Sequence, residues 1–341
     1  MRRIVIAGGL GFFGRTAAER LRAEGAAPLT AARRPGADLR LDVEDPASLR
    51  AALRPGDVVL DTVGPYQDRT TALAEAALEI GFDLIDIADS RAYVAKLYTL
   101  RARFDAAGSR LLTACSSVSG VSAALVSHSG IANPRRVTGF LVPAAAYAAN
   151  PGSGASLLRS VGQPVKVLQD GALVERIGWR DTRPLTMPPP IGRMHGHLFE
   201  TADPLTLPSA WPSLRDVAFY VDSWVPGLNV LMDLAARSAA VHALLARFMK
   251  PGLALSRRFG SPTGCLAYEI EGASGPVARY ALISTHHGHY TPIAPAVLAA
   301  LAIAQGRFGP RGLVKPSEYV AADELLGYLD RNGVNTVALT E

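Results

Sequence analysis

Cysteine is scarce in this chain of 341 residues. The two present, Cys115 and Cys265, stand far apart, which excludes a disulfide framework and a zinc-ligand set. A reducing, cytoplasmic setting is the expectation. Lysine is almost missing: of 35 basic residues only Lys96, Lys166, Lys250 and Lys315 are not arginine. The net charge of +5 is spread along the chain with no run of five like charges, so no nucleic-acid footprint is read. Long apolar runs are lacking too. The longest, "IAPAVLAALAIA", has 12 residues, short of the roughly 18 a membrane span needs. No membrane partner is expected from it. The opening "MRRIVIAGGL" has no small-residue cleavage site after it, so no leader is expected. What the chain has is apolar mass: 49% hydrophobic against 19% charged residues, enough for the cores of two domains.

Up to about residue 118, short apolar runs alternate with helical spacing. "RIVIA", "APLTAA", "DLRLDV", "DVVLDTV", "FDLIDIAD" and "SRLLTAC" read as strands. Helices lie between them, among them "EDPASLRAALRPG" with Asp45 as N-cap and Pro46 in the first turn, "DRTTALAEAALEIG", and residues 90–107. Strands alternating with helices predict an α/β fold with a doubly wound parallel sheet. The domain expectation is 1–120 for a dinucleotide-binding domain, 121–290 for an α+β substrate domain with a mixed or antiparallel sheet, and 291–341 for a segment returning to the first. In the middle region "PVKVLQDGALVERIGW" predicts a hairpin turning at Asp170-Gly171. The proline-rich 183–208 reads as a long irregular loop, with His195 and His197 on a lid, and 228–249 as one helix. The helix at 292–306 is apolar all round and is expected to be buried between layers.

The glycine turn carries the first chemistry. "AGGLGFFGR" follows a strand and opens a helix. Two registers fit, Gly9-x-Gly11-x-x-Gly14 and Gly8-x-x-Gly11-x-x-Gly14. In either, the first glycine permits the sharp turn. Gly11 lets the backbone approach a pyrophosphate, and Gly14 lets the helix lie close to the sheet. Phe13 falls on a helix face with Ala17 and Leu21, as a core position would. Phe12 sits at the turn itself, facing the cofactor or the second domain. About twenty residues on, where an acid would take the ribose 2′-hydroxyl of NAD, stand Arg33 and Arg34, which suit the 2′-phosphate of NADP. The competing reading is a solvated basic turn. Asp42 is placed to accept from the adenine amino group or to be a surface acid. The expected cofactor is NADP, with NADPH preferred over NADH.

Four stretches, "AGGLGFFGRTAAERL", "DVVLDTVGPYQ", "GFDLIDIADS" and "LLTACSSVSGVSAALV", together resemble the NADP-binding domain of the saccharopine dehydrogenase-like reductases. The C-terminal "PIAPAVLAALAIAQGRFGPRGLVKPSEYV" resembles that family's returning helix and tail. The resemblance implies a Rossmann domain, a mixed-sheet second domain, and hydride transfer to or from an imine, carbonyl or activated double bond. Ala88-Asp89 stands where the family often has Gly-Glu, which points away from saccharopine itself as the substrate.

Ligands of open parallel sheets bind at the carboxyl ends of the strands, which selects Gly64-Pro65-Tyr66-Gln67, Ala88-Asp89-Ser90 and Cys115-Ser116-Ser117. Gly64 and Pro65 would shape a wall beside the cofactor. Tyr66 and Asp89 are candidate proton donors, set against ribose packing for Tyr66 and helix N-capping for Asp89. Cys115 reads as a buried small residue rather than a nucleophile. In "STHHGHYTP", His287 and His289 would share a strand face and donate protons or bind substrate, beside His286 and Tyr290. Without an acid at ligand spacing, no metal is expected. Ser153 and Ser156, behind the glycines of "NPGSGASLL", read as carboxylate binders or helix caps, and Arg257-Arg258 as another carboxylate pair or a solvated turn. The second domain has few acids and many Ala, Leu and Pro, so an apolar substrate lining between the domains is expected, and a homodimer is compatible with the chain. The rival reading is a non-catalytic NADP(H)-binding regulatory protein of atypical short-chain-dehydrogenase type. No tyrosine here has a lysine four residues on, which excludes the ordinary catalytic version.

Overall fold

A computed structural model describes residues 1–339 except Asn150 and Ser274, and leaves aside the side chains of Ala148, Pro151 and Ser153. Of the glycine-led stretch 150–158, Asn150 and the Ser153 side chain therefore lie outside the described residues, while Ser156 is buried on the helix Pro151–Ser160. The chain divides into two compact units. One comprises Met1–Ala124 and Thr291–Leu325, the other Leu125–Tyr290 and Leu326–Glu341.

The first unit is built on a parallel sheet. Its strands are β1 (Ile4–Ala7), β2 (Leu29–Ala32), β3 (Leu39–Arg40), β4 (Val58–Asp61), β5 (Asp83–Asp86) and β6 (Arg110–Leu112), with a returning strand Gly312–Leu313. The order is returning strand, β6, β5, β4, β1, β2, β3, every pairing parallel. The direction of winding reverses between β1 and β4, the crevice where doubly wound sheets take dinucleotides. β1, β4 and β5 are buried at every residue, which is why they read as continuous apolar runs rather than alternating ones. Helix Pro46–Ala52 starts as predicted, with the Asp45 side chain accepting from the Ala47 N–H at 3.0 Å. The expected helix 90–107 is two, Arg91–Tyr98 and Arg101–Ala107, parted at Thr99-Leu100. Helix Ala294–Ala304 packs on β4, β5 and helix Phe12–Ala23, and every residue in it except Ala302 is buried, so it has no polar face.

The second unit holds a mixed sheet. Its strands are β7 (Pro134–Val142), β8 (Pro164–Gln169), β9 (Ala172–Ile177), β10 (Thr182–Thr186), β11 (Arg193–Phe199), β12 (Asp216–Val221), β13 (Gly264–Gly272) and β14 (Val277–Ser284). The main path runs β10-β11-β12-β7-β13-β14 and ends on the strand Asn335–Ala338, with only β12 and β7 parallel. That last strand joins β14, so the final residues belong to the second unit, not to the parallel sheet. The β8–β9 hairpin turns at Asp170 (φ 51°) and Gly171 (φ 82°), the pair of positive angles a two-residue turn requires.

Two readings need correction here. The proline-rich 183–208 is not an irregular lid: β10 and β11 form an antiparallel hairpin within it. Met187, Ile191 and Met194 sink into the core beside Phe140, Val142 and Cys265, and that burial orders a segment whose prolines suggest a loop. His195 and His197 accordingly sit on a strand. His197 stacks flat on Trp179 with ring centres 4.7 Å apart, a structural contact. The expected helix 228–249 breaks at Ser238, whose side chain caps the next helix, giving Leu228–Arg237, Ala239–Arg247 and then Met249–Phe259.

Candidate cofactor site

The glycine turn leaves β1 at the reversal point. Gly8 has φ +78°, a conformation only glycine adopts without strain, and its N–H donates to the Ala31 carbonyl of β2 at 2.9 Å. The Gly11 N–H closes the turn on the Gly8 carbonyl at 2.7 Å. A Cβ on Gly14 would lie 2.2 Å from that same oxygen, so Gly14 is what lets the helix sit against the turn. A Cβ on Gly9 would lie 2.6 Å from the Thr30 Cβ. At Gly11 the only neighbour is the Gly8 oxygen at 3.0 Å, and the residue is exposed, so this position opens outward. Of the two registers, the turn itself is made by Gly8-x-x-Gly11-x-x-Gly14, with Gly9 serving the approach to β2.

Helix Phe12–Ala23 has no side chain capping its start and no acid in its first turn, and Gly11 is its N-cap. An uncapped helix start that opens beside a position kept free of a side chain fits a pyrophosphate. Phe13 corrects an expectation: it is half-buried, edge-on to Phe12 at 5.1 Å, while Ala17 and Leu21 form the core face. From the end of β2, the exposed Arg34 reaches back to donate to the Leu10 carbonyl at 3.3 Å, which sets its guanidinium at the glycine turn. Arg33 beside it is exposed. The Asp42 carboxylate accepts from the Glu44 N–H at 3.1 Å, a local turn.

From the other side of the crevice, the Thr62 hydroxyl donates to the Ala7 carbonyl at 2.7 Å, fastening the end of β4 to the root of the turn. Gly64 and the cis-bonded Pro65 follow it. Tyr66 is buried, and its hydroxyl donates to the Asp61 carbonyl at 2.7 Å; burial raises its pKa well above the ordinary value. Its proton is therefore committed to the main chain. Asp89 is half-buried, and the N-cap role goes to its neighbour: the Ser90 side chain accepts from the Tyr93 N–H at 3.3 Å. Cys115 is fully buried, and burial pushes its thiol up, the state of an inert structural cysteine.

Sequence reasoning missed a buried acid pair beneath these loops. Asp61 and Asp86, the last residues of β4 and β5, are partners in register and each 0% exposed. Arg69 lies 3.1 Å from Asp61 and also bonds Glu44. Asp86 accepts at one oxygen from the Ala88 and Ala114 N–H groups, at 3.0 and 2.8 Å, and burial pushes its carboxyl up to about 7. The available signal was the repeat of an apolar run ending in Asp, "VVLD" and "DLID".

The histidines lie in the second unit, beyond the end of β14 at Ser284, so they do not share a strand face as expected. Gly288–Tyr290 is a single 3-10 turn. The Ser284 hydroxyl accepts from the His287 N–H at 2.8 Å, and His287 stacks on Tyr290 with ring centres 5.0 Å apart. His286 and His287 are exposed and His289 is half-buried. Among the described residues no three His, Cys, Asp or Glu side chains converge as metal ligands, and no helix is long and apolar enough to cross a membrane.

No protein-family model matches the chain, and no curated protein matches it in sequence. Solved structures do match. Saccharopine dehydrogenase (L-Glu forming) from Saccharomyces cerevisiae aligns over 100% of both chains with a TM-score of 0.64 at 13% identity. The chain has the saccharopine dehydrogenase-like fold. Weaker likenesses reach GenD2 of gentamicin A biosynthesis, in complex with NAD, at a TM-score of 0.43, 14% identity and 100% and 97% coverage. Myo-inositol 2-dehydrogenase from Lactobacillus plantarum follows at 0.44, 8% identity and 99% coverage of each chain. At 13% identity the likeness to saccharopine dehydrogenase shows the fold alone, a parallel sheet plus a mixed sheet.

Proposed function

We propose that this protein is an NADP-dependent oxidoreductase, moving a hydride to or from an imine, carbonyl or activated double bond of a small organic substrate. The observation that carries the reading is the conjunction, at the β1/β4 reversal, of an uncapped helix start, a Gly11 kept open, and Arg34 folded back onto the same turn. Bound there, the cofactor supplies the hydride. Gly8, Gly9 and Gly14 hold the turn that presents the backbone N–H groups, and Phe12 and Phe13 flank it. Arg33 and Arg34 take the 2′-phosphate as paired guanidiniums, and Asp42 meets the adenine. Gly64 and Pro65 form a wall, and the buried Tyr66 supports it. Asp89, half-buried in the loop after β5, is the proton donor this reading assigns to the first unit, because the Tyr66 hydroxyl is committed. His287 and His289 stay candidates for proton donation on the second unit.

Fluorescence titration with NADPH and NADH tests the cofactor assignment. NADPH binds more tightly, and the double variant Arg33→Ala/Arg34→Ala loses at least about tenfold of that preference. A native preference for NADH refutes it. Turnover against imines, keto acids and enoyl compounds separates the enzyme from a sensor. NADPH that binds but is never oxidised favours the regulatory reading.

A further inference from the structure

Twelve large apolar side chains are exposed among the described residues, and seven of them fall within residues 228–259. This stretch is the three short helices Leu228–Arg237, Ala239–Arg247 and Met249–Phe259, and the last two bury none of their own residues. Phe248, Leu255 and Phe259 are 53%, 60% and 64% exposed. At spacings of seven and four they lie on one stripe, with Leu244 (56%) exposed on the preceding helix. Such clustering exceeds the scattered single apolar residues normal on a surface.

The charges of the same stretch are one-sided. Arg237, Arg247, Lys250, Arg257 and Arg258 face a single acid, Asp233, for a net +4. Asp233 is already paired with Arg237 at 3.0 Å and Arg257 donates to the Ala149 carbonyl at 2.6 Å, which leaves Arg247, Lys250 and Arg258 as the exposed cations outside these contacts. A second copy fits poorly, because a two-fold contact would set this +4 stretch against another of the same charge. Crossing a bilayer is excluded by length, since a helix of about ten residues spans roughly 15 Å. An apolar stripe on short helices whose remaining charge is all positive matches an anionic bilayer surface, where the stripe enters the boundary between headgroups and chains. The expectation of no membrane partner rested on the absence of a spanning run, which does not bear on lying at the surface.

We propose that helices 228–259 dock the protein on an anionic lipid surface. Flotation of the full chain with vesicles tests this. Phosphatidylglycerol-containing vesicles capture the protein and phosphatidylcholine vesicles do not. The variant Arg247→Gln/Lys250→Gln weakens capture about 30-fold, and Phe248→Ser/Phe259→Ser weakens it at least about tenfold. Both variants keep the native melting temperature and NADPH affinity, since all four side chains are exposed. Absence of capture, equal capture by both vesicle types, or capture unchanged in the phenylalanine variant overturns the proposal. So does a dimer in solution that the phenylalanine variant dissociates, which assigns the face to a second copy.

Discussion

Gly11 and Gly14 belong to one turn, yet the structure gives them separable jobs, and alanine at each reads a different quantity. At Gly14 the added Cβ would sit 2.2 Å from the Gly8 oxygen and 2.8 Å from both the Gly8 carbon and the Gly9 Cα. All three are backbone atoms, so the helix must lift from the turn. Overpacking of this kind costs about 1–3 kcal/mol. At roughly 2–4 °C per kcal/mol for a domain of this size, Gly14→Ala lowers the melting temperature by about 2–12 °C. At Gly11 the backbone is extended (φ −78°, ψ 174°), and the Cβ has one neighbour at 3.0 Å. Alanine loses a little as an N-cap, gains a little from a stiffer unfolded chain and pushes the Gly8 oxygen back by a little, so the stability loss is below about 1 kcal/mol and smaller than at Gly14. The methyl group stands instead where a pyrophosphate must approach. NADPH affinity therefore falls at least about tenfold, or about 1.4 kcal/mol. Scanning calorimetry and fluorescence titration on the two variants give both numbers. If Gly11→Ala binds NADPH as tightly as the native chain, the turn does not hold the pyrophosphate and the cofactor reading fails with it.

Two further outcomes follow from the acids and tyrosines behind that turn. Tyr66→Phe removes a hydroxyl that donates to the Asp61 carbonyl. It costs about 0.5–1.5 kcal/mol by denaturant midpoint and leaves the pH profile of turnover unchanged; a folded variant without turnover would return Tyr66 to the role of proton donor. Asp86 titrates at about 7 in the folded chain, because burial disfavours its charge, against about 3.9 when unfolded. Between those values the native state holds a proton that the unfolded state has released. Its contribution is therefore complete below about pH 4 and is lost as pH rises through about 7. Urea melts between about pH 5 and 8 should show native stability falling with pH and a flatter slope for Asp86→Asn. Asp61, also raised by burial, keeps some slope in the variant. Identical slopes would mean that Asp86 is not the titrating group.

The centre of the parallel sheet was legible in the sequence because β1, β4 and β5 are buried at every residue and read as continuous apolar runs between helical spacings. β1, β4 and β5 lie within the runs that predicted them, and Asp45 and Gly81 bound their helices as expected. The second unit was less legible for reasons visible in its packing. In β10 and β11 the ordering force is the core contact of Met187, Ile191 and Met194, made with residues tens of positions away, while the local signal is proline. The break at Ser238 rests on one cap inside a long apolar-periodic stretch. The Gly-Arg part of the candidate site could be read from spacing alone. That the Tyr66 hydroxyl is committed to the Asp61 carbonyl could not, since that depends on how the ring packs beneath the loop.

The acid pair shows how a strand-end residue acquires a role no local pattern reveals. Asp61 and Asp86 face the same way on neighbouring strands, about 5 Å apart, and neither meets water. Two carboxylates so placed cannot both stay ionised without a cation, and Arg69 supplies one charge, to Asp61. Asp86 receives two main-chain N–H groups on one oxygen, which favours its charged form, but burial outweighs them and its pKa rises to about 7. The two donors belong to Ala88 and Ala114, whose loops carry Asp89-Ser90 and Cys115-Ser116. One buried side chain thus ties together the loops after β5 and β6, at the edge of the sheet where a cofactor would lie. Burial makes Asp86 costly to ionise, while the oxygen that accepts both N–H groups ties the loop leading to Asp89 to the loop after β6.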